Sequence, residues 1–254
     1  MLNFVPSQKH SLIHYMLKKH CENEQIINGE NLNDYLNLDT NEINLILPIH
    51  DASGDIIPNF FNFIIDNNLY IQDEIEIEYT LSLLSNSSNP DNIWVDYISH
   101  FLIDKSIESN KLKICHNLYD ACKNASLNKK DGLLCHKDFI EQLDLPIQKI
   151  YLTQKVKLAL ISSQKPKNIK NESHLILNYE QQRNLNLTHI LHPFYNQNIE
   201  LQNIYHRPHK SQIYLKLNNH FTQNKVRKAI YHFEKELQQG TIKILGHNTV
   251  YEQI

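Results

Sequence analysis

Cysteine and histidine are the residues here whose types best suit chemistry. Cys115, His116, Cys122, Cys135 and His136 sit close together in the chain. Thiolates and imidazoles are natural zinc ligands, and four of them could close a tetrahedral site. The spacings are not those of paired CxxC knuckles, however, and Cys115 and Cys122 share an apolar helical stripe with Leu112, Leu118 and Tyr119. Buried free thiols explain such a stripe equally well. No metal is assigned, and zinc at Cys115, Cys122, Cys135 and His136 stays open. Of the 15 histidines, His189 and His192 are three apart, as are His206 and His209. Imidazoles so spaced can share a metal on a helix, but HEXXH is absent and prolines interrupt or follow both pairs. The default is polar loop histidines.

Other chemistries are excluded more firmly. Only 5 glycines occur, and neither GxGxxG nor GxxxxGK[ST] is present, so the common glycine-rich nucleotide sites are not expected. There is no GxSxG elbow and no nucleophilic-cysteine signature. Carboxylate pairs such as Asp73/Glu74 and Asp51/Asp55 are too generic to nominate. No catalytic residue and no cofactor is expected, although a site built from residues distant in sequence would leave no local mark.

The charge distribution is more informative. Residues 1–148 carry 10 Lys/Arg against 22 Asp/Glu, a balance of −12, whereas residues 149–254 carry 15 against 6, a balance of +9. The overall −3 therefore conceals two opposed segments. With 41% hydrophobic residues the chain can bury a core without disulfide or metal. Pro146 coincides with the charge reversal, which suggests domains at 1–148 and 149–254, or one intimately packed domain. The 31 Asn and 32 Ile suggest an AT-rich, bacterial genome. The first residues lack the apolar run of a signal peptide, and no stretch approaches the ~18 apolar residues of a membrane span. With four cysteines and no export signal, a reducing cytoplasm is expected.

The elements that would position these residues read as α+β: a mainly helical acidic N-terminal part, and a basic C-terminal part with a few strands ending in a helix plus β-hairpin. Leu12, Ile13, Met16 and Leu17 mark one helix, and Leu32, Tyr35 and Leu36 a second. A third opens at Asp39, with Glu42 completing a capping box, carries Ile43, Ile46 and Leu47, and ends at Pro48. The three could form a helix-turn-helix unit or begin any helical domain. From Leu69 the period becomes two, through Ile71, Ile75, Ile77, Tyr79, Leu81 and Leu83, with Glu74, Glu76 and Glu78 on a solvated face. Ile93, Trp94, Tyr97, Ile98, Phe101 and Leu102 suggest a further helix with Trp94 in the core. Helices over 111–125 and 136–144 and strands over 150–161 and 174–179 follow. Residues 180–212, interrupted by Pro193 and Pro208, stay unassigned.

The C-terminus is clearer. Thr222 caps a helix with Val226, Ala229, Ile230, Phe233 and Leu237 on one face, and Gly240 fits its C′ position. Segments 241–245 and 249–253 flank Gly246-His247-Asn248 as a β-hairpin. This ending resembles the recognition helix and wing of winged-helix DNA-binding domains over about 35 residues. The resemblance implies that Lys225, Lys228, His232 and Lys235 face phosphates, with Lys243 as a further contact. Lys165, Lys167 and Lys170 form a second basic patch. His192-Pro193-Phe194 with Asn198 also resembles the start of the Fic-type nucleotidyl-transfer loop. Asn196, Gln197 and Glu200 replace that loop's acidic residue, glycine and arginine, so its chemistry is not carried over. The expectation is a non-enzymatic protein whose basic C-terminal part engages a polyanion, DNA or RNA. The alternative is a protein-interaction adaptor, assembly factor or secreted bacterial effector without nucleic-acid binding.

Overall fold

The computed structural model describes residues 2–6, 13–14, 17, 25–29, 31–38, 42–51, 53–103, 109–115, 118–136, 147–150, 154–166, 172–179, 186–236 and 241–246. The chain divides into two units, one of residues 1–67 and 75–160 and the other of 68–74 and 161–254.

In the first unit β1 (Leu2–Val5) lies parallel to both β2 (Gln25–Asn28) and β3 (Ile43–Pro48). Between β2 and β3 stands α1 (Leu32–Leu36), whose cap is reciprocal. The Asn33 amide donates to Asn31 Oδ1 at 2.9 Å, and the Asn31 amide donates to Asp34 Oδ2 at 3.0 Å. Its Tyr35 is buried on Phe4, ring centroids 5.7 Å apart, and the Tyr35 hydroxyl donates to the Ile43 carbonyl at 3.0 Å. Burial drives the Tyr35 hydroxyl's pKa upward, so it stays a donor. α2 (Pro58–Asp66) starts on a proline, which helix starts accept because the first N–H groups have no helical partner.

The segment 43–48 is a strand, which overturns the helix expected there. Its six residues are all buried. A strand covered on both faces reads as an unbroken apolar run, and over six residues such a run cannot be told from a helix by period.

The long strand β4 (Tyr70–Tyr79) begins in the second unit and ends in the first. Thr80 separates it from β5 (Leu81–Ser85), which belongs to another sheet. β6 (Asn92–Asp96) leads directly into α3 (Tyr97–Phe101), so the helix expected from Ile93 onward is half strand. β7 (Leu112–Cys115) and α4 (Leu118–Leu127) likewise share the stretch expected to be one helix. β8 (Asp131–His136) and β9 (Ile147–Ile150) complete a five-stranded mixed sheet in the order β7-β6-β8-β5-β9. β10 (Gln154–Ser162) then returns the chain to the first sheet, next to β3 and β4. Two α/β sheets are thus joined by two crossings, β4 to β5 and β9 to β10. The N-terminal part is α/β with extensive sheet, not mainly helical.

α4 lies on the five-stranded sheet through Leu118, Ala121 and Ala125, against Leu84, Leu133 and Cys135. One carboxylate ties that sheet's end together. Asp131, 5% exposed, accepts from Asn92 Nδ2 at 2.9 Å, Trp94 Nε1 at 2.8 Å and Asn128 Nδ2 at 2.9 Å. Trp94 is therefore half-buried and hydrogen-bonded rather than fully in the core. Asp131→Ala would strand three donors, and a loss of about 3 kcal/mol is expected in chemical denaturation. A loss below about 0.5 kcal/mol would show that water replaces the carboxylate freely.

The second unit runs β11 (Ser173–Asn178), α5 (Leu187–Asn196), β12 (Leu201–Arg207), β13 (Gln212–Leu217), α6 (Asn224–Glu236) and β14 (Thr241–Gly246). Its strands order as β12-β13-β11-β14, with the three neighbouring pairs antiparallel. This βαββαβ succession is the ferredoxin-like arrangement. The core gathers Leu175, Leu177, Ile213, Leu215 and Leu217 under Ile190 and Phe194 of α5 and Val226, Ala229 and Phe233 of α6. Asn186 caps α5, accepting from the His189 amide at 3.0 Å, and Pro193 is buried inside that helix. β14 joins β11 and β4. Residues 249–253 and Gly240 lie outside the described residues, as does the expected 136–144 helix. Among the described residues no helix is long and apolar enough to cross a membrane.

Candidate small-molecule pocket

Strand alternation sends every second residue of the second unit's sheet away from its two helices. On β11 these are His174 and Ile176, on β13 Tyr214 and Lys216, and on β14 Lys243, which stands opposite Ile176. Instead of a polar, wet face, this side holds a buried ion network. Lys216 Nζ lies 2.7 Å from Glu74 Oε2 and 3.1 Å from Glu172 Oε2, with the three side chains 3%, 7% and 4% exposed. His174 Nε2 is 3.8 Å from Glu74 Oε1, and its Nδ1 shares a 2.7 Å hydrogen bond with the Tyr214 hydroxyl. Gln202 Nε2 donates to Glu172 Oε1 at 3.0 Å. Burial alone would push the Lys216 ammonium down, but Glu74 and then Glu172 outweigh it and hold its pKa above the ordinary lysine value. Burial first, and then the two glutamates, keep the Tyr214 hydroxyl protonated well beyond its usual range. Of the expected glutamate row only Glu76 and Glu78 are exposed. Glu74 is an internal counter-ion.

Glu74 fixes the beginning of β4, and four residues earlier on the same strand face stands Tyr70. Lys243 lies over the Tyr70 ring, 5.2 Å from its centroid, and donates to Asn68 Oδ1 at 2.9 Å. β14 pairs with β11 along its length, and among the described residues it meets β4 at Gly246, opposite Ile71. Residues 241–245 therefore keep an outer edge that no described strand covers. Beside that edge opens a pocket of about 400 Å³, lined by Tyr70, Lys165, Pro166, Phe221, Ile242, Lys243 and Ile244. Its described walls are aromatic and aliphatic, and the two charged residues among them, Lys165 and Lys243, are both positive. Among the described residues no ion pair ties either lysine to an acid. Burial lowers the Lys243 pKa, as expected of an ammonium partly withdrawn from water.

The basic residues singled out from sequence divide accordingly. Lys225, Lys228, His232 and Lys235 do share the outer side of α6, where Lys228, His232 and Lys235 are exposed. Lys235 rests 5.9 Å from the Tyr231 ring centroid. This helix is the second helix of a ferredoxin-like unit, lying flat on its own sheet, so the winged-helix resemblance fails. Lys167 and Lys170 lie outside the described residues. Lys165 and Lys243, assigned from sequence to two separate patches, meet in one pocket. Tyr70 and Phe221 were missed, because nothing local in sequence marks them as neighbours of β14.

The cysteines occupy β7, α4 and β8, and His116 is outside the described residues. Cys115, Cys122 and Cys135 are free thiols, each with its pKa pushed up by burial. Among the described residues no group of three or more His, Cys, Asp or Glu side chains is placed to hold a metal.

No family model matches the chain, and no curated protein does. Solved structures match along nearly all of it. A prephenate dehydratase from Staphylococcus aureus superposes with a TM-score of 0.71 at 12% identity, covering 98% of this chain and 100% of that one. A prephenate dehydratase from Arthrobacter aurescens in complex with L-Phe gives 0.72 at 12% identity, covering 98% and 90%. GqqA, described as a novel type of quorum quenching acylase, gives 0.71 at 11% identity, covering 99% and 98%. At such identities the likeness establishes the fold alone: α/β, over nearly the whole chain. It also corrects the expectation of a DNA or RNA partner, since these fold relatives are a dehydratase that holds L-Phe and an acylase.

Proposed function

We propose that the protein binds a small molecule of the amino-acid or simple organic-acid class, and that its C-terminal unit provides a site for it. The observation that carries this reading is the pocket beside β14, which combines a ligand-sized volume, apolar walls and two lysines with no acidic partner among the described residues. The fold relative that holds L-Phe supports the ligand class. A dehydratase and an acylase share this fold, so fold alone assigns no reaction, and the proposal is one of binding. A reducing, cytoplasmic setting belongs to it, in keeping with the free thiols of Cys115, Cys122 and Cys135.

A thermal-shift series tests it, using the twenty amino acids together with benzoate, phenylacetate and hexanoate. A true ligand at about 100 times its Kd should raise Tm by roughly 5–10 °C. A flat response across the whole series at millimolar concentration would refute the proposal.

A further inference from the structure

We infer that the pocket beside β14 is an anion-selective site that holds the carboxylate of an apolar-bodied organic acid between Lys243 and Lys165. The inference rests on the small-molecule reading above and adds the charge, the contact atoms and the shape of the ligand.

Charge comes first. Lys165 and Lys243 line a cavity of about 400 Å³ whose other described walls are Tyr70, Pro166, Phe221, Ile242 and Ile244. Two like charges beside the same apolar walls are costly, and an anion between them offsets that cost. The partners that Lys243 does have, the Asn68 amide oxygen and the Tyr70 ring, are both neutral. They orient the ammonium without neutralising it. Lys165 sits on an exposed stretch just after β10. Lys243 instead projects from a paired strand, where the network around Lys216 holds the neighbouring β4 in place.

The apolar walls select among anions. A bare inorganic ion would leave Phe221, Ile242 and Ile244 facing water. A carboxylate carrying an aromatic or branched aliphatic body would cover them and gain the transfer free energy of that area. The uncovered edge of β14 adds backbone N–H and C=O groups along one wall, which suit a further polar group near the carboxylate. The chemical class is thus a monocarboxylate with a hydrocarbon or aromatic body, and a 2-amino group is compatible with the strand edge.

The test compares phenylacetate with phenylacetamide, which share shape but not charge, by calorimetric titration of the full chain. Phenylacetate is expected to bind at least about tenfold more tightly. Lys243→Met should erase most of that preference, weakening phenylacetate far more than the amide. Lys165→Met, on an exposed stretch where folding is not at stake, should weaken phenylacetate in the same direction. Equal affinity for acid and amide would overturn the inference. So would phenylacetate binding indifferent to both substitutions, or inorganic phosphate binding as tightly as phenylacetate. In those cases a ligand still binds and the small-molecule reading stands. Absence of binding by any probe, here and in the thermal-shift series, would remove both.

Discussion

Lys216→Met is expected to destabilise the protein by about 3–5 kcal/mol, the range for removing one partner of a buried ion pair. Among the described residues Lys216 is the cation at hydrogen-bonding distance from both Glu74 and Glu172, and the substitution would leave both carboxylates 7% exposed or less. Most of the loss comes from stranding those two charges, not from forfeiting an attraction. Neutralising all three together, as Glu74→Gln, Glu172→Gln and Lys216→Met, should therefore restore a large part of the stability. Such strong non-additivity is the mark of a coupled network. The pH dependence follows from the raised Lys216 pKa. A group whose folded pKa exceeds its unfolded value stabilises fully below the unfolded value of about 10.4 and loses that contribution as pH rises through the folded one. The wild type should thus lose more stability than Lys216→Met above roughly pH 10.4, while near neutral pH the full difference persists and neither stability changes with pH on this account. A single-substitution cost below about 1 kcal/mol would mean that the pair is solvated like a surface bridge.

Gly246→Ala should cost about 2–3 kcal/mol, an unusual penalty for adding one methyl group. The added Cβ would lie 2.2 Å from the Ile71 carbonyl oxygen and 2.9 Å from the Ile71 Cβ. Both atoms belong to β4, which Gly246 meets directly opposite Ile71. No rotamer change relieves a clash with backbone. The strands must part, and Tyr70 moves with them. Gly54 supplies the control, because it has a φ of 83° and nothing within 4 Å of its added Cβ. Gly54→Ala should cost only about 1 kcal/mol, from backbone strain alone. Equal effects of the two substitutions in thermal unfolding would show that close approach is not what position 246 requires.

Several elements were legible in sequence because their faces differ in polarity. α6 showed Val226, Ala229 and Phe233 at helical spacing, and these do meet the sheet. β4 showed its period of two because its far half has one wet face, where Glu76 and Glu78 alternate with Ile77 and Tyr79. β11 was placed within a residue at each end. Strands buried on both faces failed, β3 above all. β6 and β7 failed because each runs into a short helix, and the joined apolar pattern imitates one longer helix. α5 stayed hidden because Pro193 lies inside it, where a proline ordinarily argues against a helix.

The candidate site was less legible, and for a different reason. Lys165 and Lys243 were singled out as charges, but their shared location depends on the position of β14 between β11 and β4. That position is set by Gly246 and by a network whose members, Glu74, Glu172, His174 and Lys216, are spread over most of the chain. Charge counting placed Glu74 with the acidic half and Lys216 with the basic half. In the fold they neutralise one another inside the same unit, so part of the basic excess read as a polyanion-binding surface is internal.

A crystal structure of the protein with the carboxylate that most raises its Tm would test the central claim most directly. The expected result is that acid seated against Tyr70 and Phe221, with its carboxylate within hydrogen-bonding distance of Lys243. Ligand bound elsewhere, with the space beside β14 filled only by water, would contradict the assignment of this pocket.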